Sequence, residues 1–196
     1  DPFLVSEEWQ KIAAQLSDLP TVPKISQGLF FDISFFEENI QIPGLKYSLN
    51  PYDARNGALV VNFNTVNLKV EKNGAISSAE EQTPLTPFAK HLGKKLPSGI
   101  HRVSIPPDSG FAYAGELLQT IFLRHGLSFK NRKVSLRQVS SAAQLVYRHY
   151  NNLNLQDLIA GMMLYSNNFT ANQLLLTTGM KRFGSPASLK KGRLAV

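Results

Sequence analysis

Ser166, Asn167 and Asn168 interrupt two apolar helical runs, and these short polar side chains are where the sequence concentrates groups able to do chemistry. Leu155, Leu158, Ile159, Met162 and Met163 recur at helical spacing before them, and Phe169, Leu174 and Leu175 belong to a second run after them. A hydroxyl and amides on a loop pinned by a helix at each end suit catalytic placement, which tolerates errors of only about half an ångström. The same residues also have a purely structural use. Ser and Asn are favoured helix caps, so the tripeptide can instead satisfy the orphan N–H groups that open the second helix.

Other chemistries find less support. The absence of cysteine excludes a thiol nucleophile, thiolate metal sites and disulfides. Four histidines, His91, His101, His125 and His149, are scattered with no H-x-x-x-H pair, so neither a metal nor another cofactor is expected. The net charge of +7 can attract nucleic acid, anionic lipid or an anionic polymer. No run of five basic residues and no recognition motif accompanies it, and nucleic acid is not an expected partner. No apolar stretch approaches the roughly 18 residues of a membrane span. The opening Asp1-Pro2, without Met or signal peptide, points to a processed or truncated start.

The elements that must position Ser166 divide the chain in two. With 196 residues and 43% apolar content it can bury a full core. Asp1-Pro2 reads as a turn into a helix capped by Ser6, with Trp9, Ile12, Ala13 and Leu16 on one face. Gly28 to Ser34 reads as a strand, and Ala58 to Val70 as a long strand with two half-buried faces. Asn73-Gly74 is a hairpin signal that pairs Val66–Lys72 with Ala75–Ala79. His101 to Ile105 is a further strand stopped by Pro106-Pro107, and Ala112 to His125 a helix stopped by Gly126. Val134–Val139 and Gln144–Tyr150 read as short strands. The expected fold is α+β, with an antiparallel-sheet domain over residues 1–152 and a helical piece over 153–196 that carries Ser166.

Met-x-x-x-Ser-Asn-Asn followed by x-x-Ala-x-Gln-Leu-Leu and Gly179 resembles the SxN element of the penicillin-binding serine D-alanyl-D-alanine carboxypeptidases, and more closely their class C carboxypeptidase/endopeptidase branch. The resemblance extends over nearly the whole chain. It includes Asp1-Pro2-x-Leu4, the segment from Gly28 to Phe35, and Tyr52-x-Ala54 followed by Ala58-Leu59-x-x-Asn62-x-Asn64. Two departures are Asn167, where many members have Asp, and Asn172, where many have Glu.

The resemblance implies a serine peptidase that uses SxxK, SxN and KTG elements. A Ser hydroxyl attacks the carbonyl between two D-alanines, the Lys of the same helical turn takes its proton, and water resolves the acyl-enzyme. Ser166 would bond that Lys and relay a proton to the leaving amine; Asn168 would donate to the substrate carbonyl and contact the Lys. The implied partners are peptidoglycan peptides ending in D-Ala-D-Ala, with β-lactams as covalent inhibitors of the intact enzyme. The implied place is the periplasm or cell envelope. Pro186-Ala187-Ser188-Leu189-Lys190-Lys191 imitates SxxK, with Ser188 as nucleophile and Lys191 as base. It follows SxN instead of preceding it, and Gly192 comes directly after the Lys, so it is read as a decoy. Thr177-Thr178-Gly179 likewise imitates KTG but lacks the Lys and closes a helix instead of lying on a strand. On this reading the chain is an internal fragment of the enzyme. The alternatives are a non-catalytic peptidoglycan-binding module of the same fold, or a basic nucleic-acid-binding domain.

Overall fold

The computed structural model describes residues 3–20 and 24–196. In chain order it forms α1 (Ser6–Ser17), β1 (Lys24–Ile25), β2 (Leu29–Phe31), β3 (Thr65–Val70), β4 (Ile76–Ser78), α2 (Pro87–Gly93) and β5 (Gly99–Ser104). It continues with α3 (Gly110–Arg124), β6 (Ser128–Phe129), β7 (Val134–Leu136), α4 (Leu155–Leu164), α5 (Asn168–Phe183) and α6 (Leu189–Ala195). The α+β class expected from the sequence is the one observed. Asp1 and Pro2, expected to turn into α1, lie outside the described residues.

β3 is the centre of an antiparallel sheet in the order β4-β3-β5. The hairpin closes where expected: Val70 pairs with Ile76, and Gly74 takes φ 82, which a residue without Cβ adopts at little cost. On the other edge Val66 faces Val103 and Leu68 faces His101. The principal core is closed by α3, whose Tyr113, Leu117, Leu118, Ile121 and Phe122 are buried together with Val66, Leu68 and Val103. Trp9, Ile12 and Leu16 of α1 pack against the same cluster around Ala13. Two short parallel pairs, β1 with β6 and β2 with β7, flank this unit.

Three local expectations are corrected. Ser6 is not the cap of α1 but its first residue, with Val5 at the cap and no side-chain cap bond. The N–H of Ser6 instead donates to Asn62 Oδ1 at 2.8 Å, so the cap is supplied 56 residues away. Residues 58–64 are not strand. Asn62, Phe63 and Asn64 form a turn with φ of 51, 57 and 54, a left-handed run that Asn tolerates and a strand cannot contain. Residues 144–150 are not strand either: Leu145, Val146 and Tyr150 are exposed, and among the described residues no neighbour pairs with their backbone. A β-prone segment has nothing to form a ladder with unless a second strand is supplied.

Candidate active site

The two helices around Ser166 form as the apolar spacing requires. α4 opens with a reciprocal capping box: Asn154 Oδ1 accepts from Asp157 N at 3.0 Å, and Asp157 Oδ2 accepts from Asn154 N at 3.3 Å. It ends in a tight turn in which Asn167 N donates to Met162 O at 2.9 Å. Ser166 occupies that turn at φ 48, a left-handed conformation uncommon for a residue other than Gly and found preferentially where the surrounding structure enforces it.

Within the tripeptide, capping falls to the middle residue. Asn167 Oδ1 accepts from Thr170 N at 3.0 Å, and Asn167 O takes the N–H of Ala171 at 3.1 Å. Ser166 and Asn168 are exposed, and neither side chain has a hydrogen-bond partner among the described residues. Structural need therefore consumes one of the three side chains and leaves the other two available.

α5 fixes the loop in place from behind. Phe169 is buried with Ala54 and Val60, and its ring meets Phe63 edge-on at 6.0 Å. Asn56 Nδ2 donates to Phe169 O and to Gln173 Oε1, both at 2.9 Å, while Gln173 Nε2 donates to Gly57 O at 2.8 Å. This buried lattice ties the first turns of α5 to residues 54–63, the left-handed turn included. Below it, Leu176 is buried against Ile40, Ile42 and Ala187.

The two imitations of catalytic elements have other employment. Ser188 is buried as the cap of α6, its Oγ accepting from Lys191 N at 3.2 Å. Lys191 Nζ is turned to the carbonyls of Gly184 and Pro186 at 2.8 and 2.9 Å. Thr177 and Thr178 lie inside α5, their hydroxyls donating to the carbonyls of Gln173 and Leu174. α5 runs on to Phe183 and stops at Gly184, φ 81, so Gly179 does not close the helix as expected.

A family model for the D-Ala-D-Ala carboxypeptidase 3 (S13) family matches residues 97–196, just over half of the sequence. The chain belongs to that family. Among solved structures, penicillin-binding protein 4 of Haemophilus influenzae is similar with a TM-score of 0.77 and 20% identity, covering 100% of this chain and 50% of its own. The same protein complexed with a novel β-lactam is similar with a TM-score of 0.67 and 20% identity, covering 100% of this chain and 48% of its own. The S13 chain thus spans about half the length of the structures it matches. No curated protein matches it. Among the described residues no group of His, Cys, Asp and Glu could hold a metal, and no helix is long and apolar enough to cross a membrane.

Beyond the Ser166 loop, sequence reasoning gave Asn56 no role and noted Gln173 only as a position of the motif. Each is an ordinary polar residue in its own segment, and only the fold brings them into one lattice.

Proposed function

We propose that Ser166 and Asn168 are the SxN residues of a serine D-Ala-D-Ala carboxypeptidase/endopeptidase that acts on peptidoglycan stem peptides outside the cytoplasm. The observation that carries this is the division of labour in the loop: Asn167 takes the capping bond, while Ser166 and Asn168 present side chains unpartnered among the described residues, from a turn anchored by Phe169 and Gln173. In this reading Ser166 passes a proton between the nucleophile's lysine and the leaving amine, and Asn168 donates its amide to the substrate carbonyl. The nucleophile and its lysine are not among these 196 residues, because the sole SxxK match is the buried cap Ser188 and its tethered Lys191. Residues 1–152 act as the insert domain and 153–196 as part of the catalytic core. The exposed apolar residues of α4, Leu155, Met163 and Leu164, support this assignment, since they would pack against the remainder of that core.

Fluorescent-penicillin acylation tests the proposal. In enzyme that carries its SxxK and KTG elements, Ser166→Ala lowers the acylation rate by roughly 10²–10⁴ with little change in Tm. Asn168→Ala weakens both binding and acylation. The 196-residue chain by itself is neither labelled nor active on a D-Ala-D-Ala peptide. An unchanged acylation rate in Ser166→Ala removes the proposal, and labelling at Ser188 would point to a different nucleophile.

A further inference from the structure

A cleft of about 530 Å³ lies beside the anchor of α5, between residues 33–41, the segment 55–60 and the start of α3. Its volume is that of a site for a small ligand. Arg55 and Asn56 form part of its wall, and both carry enclosed polar atoms with no partner among the described residues: Arg55 Nη2 and Asn56 Oδ1. Enclosed groups of this kind are nearly always hydrogen-bonded, so two in consecutive residues of one cleft wall call for an explanation.

The neighbours do not supply one. Asp53, close enough to feel the Arg55 charge, commits its oxygens to Lys46 N–H and to the Ser48 hydroxyl. Glu37, Glu38 and Asp108 line the same cleft, yet among the described residues none forms an ion pair with Arg55. The guanidinium is instead covered by the ring of Tyr47, 4.4 Å from its centroid. Tyr47 is itself 77% exposed, so displacing it into water requires no repacking of the core.

We propose that this cleft binds a peptide with a free carboxylate, with Arg55 pairing the carboxylate and Asn56 Oδ1 accepting a peptide N–H. A guanidinium offers two parallel donors matched to a carboxylate, and a vacant amide oxygen in the same cleft wall requires a donor that a fully ionised inorganic anion lacks. The exposed rim carboxylates Glu37, Glu38 and Asp108 disfavour a polyanion, which selects a singly charged group. The other end of Asn56 already holds Phe169 O, so the bound peptide lies against the wall that supports the SxN loop. The site does not depend on the role given to Ser166.

The test compares N-acetylglycylglycine with its C-terminal amide on the unmodified chain, following side-chain ¹⁵N–¹H signals of Arg55 and Asn56 by NMR. The acid is expected to shift both signals saturably and to bind at least about tenfold more tightly than the amide. Arg55→Met is expected to abolish the preference, and Arg55→Lys to retain part of it. Equal binding of acid and amide, tighter binding of inorganic phosphate than of the acid, or a preference that survives in Arg55→Met would each overturn the proposal. None of these readouts involves acylation, so its failure is separable from that of the SxN reading.

Discussion

At the scale of single residues, the loop that carries Ser166 owes its position to polar groups that sequence spacing does not connect. Asn56 and Gln173 are 117 residues apart, and one bond from Asn56 Nδ2 to Gln173 Oε1 joins their amides while each holds a backbone carbonyl of the opposite segment. Removing Gln173 leaves Gly57 O and one bond of Asn56 Nδ2 without a partner in a region where Gln173 is only 1% exposed. The cost of an orphaned buried group is about 1–3 kcal/mol, so Gln173→Ala is expected to lower the urea midpoint by that equivalent. An unchanged midpoint would mean that water replaces the side chain without penalty. The tripeptide itself was legible because short polar residues between two helical runs form a local pattern. Which of the three caps the helix was not, since that depends on whether Ser166 or Asn167 enters the left-handed turn, a choice made by the bond from Asn167 N to Met162 O.

Elements were legible where the signal was local and illegible where a partner decided it. The hairpin at Asn73-Gly74 and α3 follow from turn chemistry and periodicity within a few residues of themselves. Residues 58–64 have the composition of a strand, yet Asn62 and Asn64 turn inward to Ser6 and to Arg55 O, and the left-handed turn follows from those distant bonds. Gly179 is a similar case. It reads as a helix stop, but it is the point where α5 touches α6: a Cβ there would lie 2.3 Å from Gly192 N. The obstacle is backbone and cannot rotate away. Gly to Ala in an exposed helix gains up to about 1 kcal/mol, whereas overpacking costs about 1–3 kcal/mol, so Gly179→Ala is expected to destabilise on balance. A Tm equal to or above that of the unmodified chain would show that α5 and α6 separate freely. The expected loss would also place α6, and Ser188 with it, as a structural brace of the helix that presents the Ser166 loop.

Across the whole molecule, the irregular stretch between β7 and α4 is fastened to the N-terminal helix by hydrogen bonds centred on a buried carboxyl. Glu8, in α1 and buried, accepts from Lys11 Nζ at 2.6 Å and pairs with His149 Nε2 at 2.7 Å, joining positions 141 residues apart. Next to it, Asn151 Nδ2 donates to Phe3 O at 2.9 Å. Burial opposes ionisation of Glu8, but the hydrogen bonds and charges of Lys11 and His149 outweigh it and hold the carboxyl below the ordinary glutamate range. A carboxyl depressed in the folded state contributes stability that is present above its unfolded pKa and is lost as pH falls through the folded one. The fastening is therefore intact at neutral pH and is expected to release from about pH 4.5 downward, where the unfolded carboxyl begins to take up its proton. Glu8→Gln keeps the shape and removes the charge, so it should lower Tm at pH 7, by an amount that shrinks steadily toward pH 3. Melting curves of the two chains at several pH values read this difference directly. A difference that persists undiminished at pH 3 would mean that packing of the side chain, and not its ionisation, holds residues 147–151 against α1.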